Sequence, residues 1–157
     1  MLRKADADSP GITFPPPLIY GGFLVAGAVV DRLWPSGFGA VTWQPWAAAV
    51  LIALAVLLMA WGALKFRRAG TNIHPNKPTS VLVTDGPWRY TRNPLYLSLT
   101  VAVLGIGLAA NSVWIVAAAL PPALIVRYAV IAREERYLEA KFGEPYRRYK
   151  ASVRRWI

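Results

Sequence analysis

The chain has 157 residues, of which 55% are apolar and only 17% charged, and its mean hydropathy is +0.35. The apolar excess excludes a disordered chain, and the absence of cysteine excludes a disulfide framework. A structural zinc site is excluded too, because one histidine without thiols cannot supply four usual ligands.

A formal net charge of +10 would point to nucleic acid in a soluble protein. Here no basic stripe is interleaved with stacking aromatics on a soluble face, so nucleic acid is not an expected partner. The charges instead flank two uncharged runs, residues 33–64 and 93–126, of 32 and 34 residues. A bilayer core takes about 20 apolar residues per helix, so each run holds at least one span.

In chain order, residues 1–13 form a flexible polar tail that Pro15, Pro16 and Pro17 separate from the first span, expected over 18–34. Its Tyr20 and Trp34 are placed for the two interfaces. Ala26-Gly27-Ala28 resembles a signal-peptide cleavage site, but Asp6, Asp8 and the prolines argue against that reading. A second span covers 45–64 and is stopped by Lys65, Arg67 and Arg68. The next run holds a hairpin of two short spans, 94–110 and 113–131, turning at Asn111-Ser112, with Pro121-Pro122 kinking the second. Residues 132–142 continue as a polar helix stopped by Gly143. The basic, aromatic stretch 144–157 suits the headgroup layer.

The expected architecture is one all-α integral membrane domain, residues 1–157, with about four transmembrane helices and a cytoplasmic C-terminal helix. Lysine and arginine number two in the tail, one in the first loop, six in 65–92, none at the Asn111 turn and eight after Ile131. Both termini and the middle segment are therefore expected in the cytoplasm.

Two cytoplasmic blocks carry the reactive side chains. In the first, from Thr84 to Tyr96, Asp85-Gly86-Pro87 signals a turn and Asn93-Pro94 opens a helix with free amides. Those amides with Arg89 and Arg92 suit a carboxylate, and Trp88, Tyr90 and Tyr96 offer faces to an aromatic base or a cation. The same composition also serves as a plain interfacial anchor. In the second block, Glu134 and Glu135 have no basic residue at helical spacing, where surface helices usually place one. They need a cation from elsewhere, a raised pKa, or pairing with basic residues of the middle loop. Arg127 and Tyr128 precede the two glutamates by seven residues and so share their helical faces. Arg127 either snorkels to the interface or faces inward to bind an anion. His74, in a proline-rich loop, reads as solvated.

Taken together, Gly86–Tyr96, then Arg133-Glu134-Glu135-Arg136-Tyr137-Leu138, then Phe142-Gly143-Glu144-Pro145-Tyr146-Arg147-Arg148-Tyr149, resemble the isoprenylcysteine carboxyl methyltransferase and phospholipid methyltransferase superfamily. The approach Ala69–Pro75 resembles its small bacterial members. The resemblance implies an S-adenosylmethionine-dependent methyltransferase whose cofactor lies in the half formed by residues 65–157. It implies cofactor contacts at Arg92, Asn93, Pro94, Tyr96, Glu134 and Glu135; the aromatic face of Tyr90 suits the same cofactor, Arg127 and Glu135 are candidates for an unassigned catalytic role, and no metal is expected. The acceptor would be a lipophilic carboxylate, amine or thiol, and a covalent methyl-cysteine intermediate is excluded because the chain has no cysteine. Asn93 replaces the histidine of prenylcysteine-type members. Ser98 stands where many members have glycine, which would narrow the pocket. The alternatives are a membrane NADPH-dependent reductase of the sterol-reductase type, for which no glycine-rich fingerprint is present, and a non-enzymatic four-helix scaffold or transporter subunit.

Overall fold

The computed structural model describes residues 9–12, 14–39, 41–72 and 77–157. Among them every regular element is a helix. Helix α1 (Pro16–Leu33) starts on the proline triplet, with Pro15 as its N-cap, where a missing amide leaves no intrahelical bond unmade. Helix α2 (Gln44–Arg68) runs one turn past the expected end. Lys65, Arg67 and Arg68 occupy its last turn, where cations complement the helix dipole. Basic residues thus end the apolar stretch and not the helix, which stops at Ala69 before Gly70, at φ 65°.

Helices α3 (Pro94–Ala109) and α4 (Val113–Ala117) form the expected hairpin. Asn111 takes a left-handed φ of 52°, a conformation that asparagine tolerates. The Ser112 hydroxyl accepts from the Ile115 amide and donates to Asp31 of α1 at 2.6 Å. The regular α-helix is interrupted at Ala118 and Ala119, just ahead of α5 (Leu120–Ile125), which carries Pro121 and Pro122 in its first turn. A π turn over Val126–Ile131 then leads into α6 (Ala132–Phe142).

That wider turn inserts a residue into the helical register. The seven-residue repeat therefore fails to place Tyr128 with Glu135 on one face: Tyr128 is 69% exposed and Glu135 only 7%. The same shift applies to Arg127 and Glu134. Gly143, at φ 58°, ends α6, as the sequence reading expects, and opens a further helix that reading did not include, α7 (Glu144–Ser152). The segment after Gly143 packs into the fold: Tyr146 and Tyr149 are buried and Trp156 packs on the core.

Helix α3 is central and packs most extensively along α2, then against α4 and α1. Small residues allow the close approach. A Cβ added at Gly107 would lie 2.6 Å from Val116 Cγ2 and 2.7 Å from its amide nitrogen. Tyr20, expected at an interface, is buried and hydrogen-bonded to Thr100 at 2.6 Å; Trp34 is exposed.

Among the described residues, two helical stretches are long and apolar enough to cross a membrane: α2, and the 30-residue rod Val113–Phe142, whose apolar part precedes the polar α6. Helix α3 is a shorter apolar helix. One face of α2 exposes Trp46, Val50, Leu54, Leu57 and Trp61, an apolar stripe that water-soluble surfaces rarely carry.

The close contact at Gly107 has a measurable consequence. Gly107→Ala is expected to cost about 1–3 kcal/mol by overpacking against Val116, seen as a lowered melting temperature in detergent. Gly22→Ala, inside α1 with nothing within 4 Å of its added methyl, should not lower melting and should raise it slightly through helix propensity.

Candidate active site

The segment before α3 is shaped by a 3-10 turn over Gly86–Arg89, entered through Gly86 at φ 63° and tied down by the Lys65–Asp85 ion pair. The turn folds Trp88 inward against Phe66, with ring centroids 4.4 Å apart, and the Tyr149 hydroxyl donates to the Trp88 carbonyl at 2.8 Å. Trp88, Val83, Tyr146 and Tyr149 form a buried cluster with Phe66, Leu95 and Leu138 around it. A second cluster, built on Tyr20, Val103, Ile115, Val126 and Ile131, has Tyr96 at its edge. The start of α3 thus contributes Leu95 to one cluster and Tyr96 to the other.

A partly open cleft of about 110 Å³ lies at this junction. Arg92, Asn93, Pro94 and Tyr96 line it from the start of α3, Glu134 and Glu135 from α6, and Phe66, Trp88, Tyr146 and Tyr149 supply an aromatic wall. The C-terminal residues close the structure behind it. The Arg92 amide donates to the Arg154 carbonyl at 3.0 Å, and the Arg155 carbonyl accepts from Asn93 Nδ2 at 2.8 Å and from Thr91 Oγ1 at 3.2 Å.

The two glutamates sit in different electrostatic settings. Glu134 accepts a 2.6 Å hydrogen bond from the Tyr96 hydroxyl. Burial pushes its pKa up to about 7, against the lowering effect of Tyr96 and with the added repulsion of Glu135. Glu135 is also buried, which works to raise it, but the Arg155 hydrogen bond and the charges of Arg92, Arg155 and Lys150 outweigh burial and hold it below its ordinary value. Arg155 forms a fork with Nε 2.9 Å from Oε1 and Nη2 2.7 Å from Oε2. Arg92 Nη1 lies 3.1 Å from Oε1, but its alignment is not that of a hydrogen bond. Arg92 Nε and Nη1 are buried with no hydrogen-bond acceptor among the described residues. The Tyr146 hydroxyl is pushed up to about 12, by burial first and then by the Glu135 charge, with Arg92 opposing.

Six of the expected cofactor-contacting residues, Arg92, Asn93, Pro94, Tyr96, Glu134 and Glu135, therefore meet in one cleft. Glu135 has taken cations from outside its helix, one of them Arg92 of the middle segment. Tyr90 does not line the cleft: the 3-10 turn sends it outward, exposed, with its ring 6.5 Å from Trp61. Arg127 lies on the π turn outside the cleft wall, its guanidinium 5.5 Å over the Tyr128 ring. Ser98 is buried facing α2, hydrogen-bonded to the Leu95 carbonyl at 2.7 Å and near Met59, so it does not narrow the cleft. His74 lies outside the described residues.

Sequence reasoning passed over Arg155, Tyr146 and Tyr149. The tyrosines belong to the Phe142–Tyr149 motif, whose spacing of three was a signal of a buried helical face. Nothing local marks Arg155 among the eight basic residues after Ile131.

A family model of phospholipid methyltransferases matches residues 43–145. The chain belongs to the phospholipid methyltransferase family. That family lies within the superfamily that the motifs resemble. With its two apolar helices, this marks a membrane protein of a methyltransferase family. The matched stretch contains the cleft residues of α3 and α6 but ends before Tyr146, Tyr149 and Arg155. A Haemophilus influenzae protein described as uncharacterized is 62% identical over 34 residues, 22% of this chain. The chain spans about half the length of that curated relative, 54%. No solved structure matches.

The raised pKa of Glu134 gives stability a definite pH dependence. The folded state holds this proton to higher pH than the unfolded chain, so the contribution is full below the ordinary value of 4.5 and is lost as pH rises through about 7. Between pH 5 and pH 8, the melting temperature of the ligand-free protein should fall relative to that of Glu134→Gln. A constant difference would mean that Glu134 does not titrate in this window.

Proposed function

We propose that this family member is an S-adenosylmethionine-dependent methyltransferase acting on a lipid-partitioned acceptor. We place it in the bilayer with about four spans and with both termini and the cleft on the cytoplasmic side. The observation that carries the proposal is the pairing of opposite, unsatisfied groups in one cleft. Arg92 holds two buried donors without acceptors among the described residues, and Glu134 is a carboxylate held by a tyrosine hydroxyl, with no ion pair to a base among the described residues. Together they complement the two charged ends of an α-amino acid.

When bound, the cofactor supplies an activated methyl group, so the protein has chiefly to align and desolvate the reactants. Glu134 is assigned to the methionyl ammonium, with Tyr96 fixing one carboxylate oxygen. Arg92 is assigned to the methionyl carboxylate by charge-assisted hydrogen bonds. The Trp88, Tyr146 and Tyr149 wall suits a flat base and the positive sulfonium. Arg127, whose buried Nε has no acceptor among the described residues, suits an anionic group on the acceptor, such as a headgroup phosphate. The reductase and scaffold alternatives gain no support from the family or the cleft.

Calorimetry with S-adenosylhomocysteine tests this directly. The wild type should bind, and Glu134→Gln should weaken binding by at least about tenfold, because truncating one partner of a desolvated charge pair usually costs about 2–5 kcal/mol and tenfold is only about 1.4 kcal/mol. Glu139→Gln, whose carboxylate is engaged by Lys150 at 3.1 Å, should change binding little. Equal losses in both variants would indicate a diffuse charge effect and remove the assignment. Wild-type affinity should also decline as pH falls below about 7, because protonation removes the anion that Glu134 offers.

Topology is open to a separate test, since the chain has no native thiol. Ala110→Cys, at the exposed α3–α4 turn, should label from outside intact cells, and Ala151→Cys, at an exposed position of α7, only after permeabilisation. The reverse pattern would place the cleft on the wrong side for a cytoplasmic cofactor.

A further inference from the structure

The Glu135 carboxylate has two guanidiniums within reach and divides itself unequally between them. Arg155 takes both oxygens in a fork, at 2.9 and 2.7 Å. A carboxylate presents one such planar edge, and bidentate pairing occupies it. Arg92 is left with a 3.1 Å charge contact to Oε1 and keeps Nε and Nη1 buried without acceptors among the described residues. Without Arg155, Glu135 is a carboxylate already in reach of those donors, at 3.1 Å from Nη1, and unmade buried hydrogen bonds are costly.

The position of Arg155 is not accidental to this segment. Its carbonyl accepts from Asn93 and Thr91, the neighbours of Arg92, and the preceding carbonyl accepts from the Arg92 amide. Trp156 then packs against the buried cluster that includes Tyr20, Val103, Val126 and Ile131. This strap lies beyond the stretch matched by the family model.

We propose that Arg155 is a positioning residue: by occupying both oxygens of Glu135 it keeps the donors of Arg92 free for the carboxylate of the amino-acid end of the ligand. The inference rests on the cofactor reading above and adds to it a division of labour. Glu134 meets the ammonium, while Glu135 and Arg155 govern how Arg92 is presented. Removing the Arg155 charge should therefore harm recognition of a carboxylate and spare recognition of an ammonium.

The test compares two ligands, S-adenosylhomocysteine and its decarboxylated analogue, which keeps the ammonium and lacks the carboxylate. Both are titrated by calorimetry into wild type and Arg155→Gln, with thermal melts as a check on folding. Arg155→Gln should lose about tenfold or more in affinity for S-adenosylhomocysteine, with the decarboxylated analogue unchanged or bound more tightly. Arg155→Lys keeps the charge but cannot form the fork, so it should show the same selectivity in smaller measure. It carries the comparison should Arg155→Gln not fold. Equal losses for both ligands would make Arg155 a merely structural anchor, and no loss for either would free Arg92 from any dependence on it. Each result overturns the proposal. A wild-type protein that binds neither ligand would instead overturn the cofactor reading, and this inference with it.

Discussion

A single buried carboxylate, Glu135, joins three parts of the chain that are distant in sequence: the α6 helix on which it sits, Arg92 ahead of α3, and Arg155 near the C-terminus. Such a cluster is costly to assemble, because three charges leave water together, and it is retained only where further hydrogen bonds satisfy the remaining donors. Here that satisfaction is incomplete. Two guanidiniums face one ionised carboxylate, and Arg92 keeps two donors unmet among the described residues. The cluster carries a net positive charge beside Glu134, whose own proton is held by burial up to about pH 7. On the cofactor reading proposed above, the ligand would bring an anion to Arg92 and a cation to Glu134.

The fold places that cluster at the end of a helical assembly whose interior depends on small residues. Glycines on α3 let its backbone touch α2 and α4, and Ser112 ties the far turn to Asp31 of α1. At the near end, the proline pair breaks the rod Val113–Phe142 and the π turn shifts its register before α6 begins. The shift decides which side chains of α6 face the cleft. It turns Glu135 inward while Tyr128, one nominal face-repeat earlier, points out. Irregular helical turns of this type commonly sit at functional sites because they re-aim side chains without ending the helix.

The cleft wall has two origins. Residues of the family-matched stretch provide the polar contacts from α3 and α6. The segment beyond it contributes Tyr146 and Tyr149 to the wall and the Arg154–Trp156 strap behind it. The strap fastens to Thr91, Arg92 and Asn93 through backbone carbonyls, so its hold on that turn does not depend on the identity of its own side chains; its hold on Glu135 depends wholly on Arg155.

Local chemistry in the sequence determined much of this protein. Uncharged runs set the apolar helices, prolines set where α1, α3 and α5 begin, and Asn111-Ser112 and Gly143 set two turns, because each acts on its own backbone. The ordered motifs likewise marked six of the cleft residues. What only the tertiary structure decided is which partners those residues take. Tyr90 and Trp88 are two residues apart, yet a 3-10 turn sends one outward and the other inward. Glu134 and Glu135 are adjacent, yet one binds a tyrosine hydroxyl and the other two guanidiniums. Arg155 is one basic residue among eight after Ile131, and only folding brings it against Glu135. Periodicity reports the face of a single helix, whereas an ion pair across twenty residues forms only after separate elements have packed.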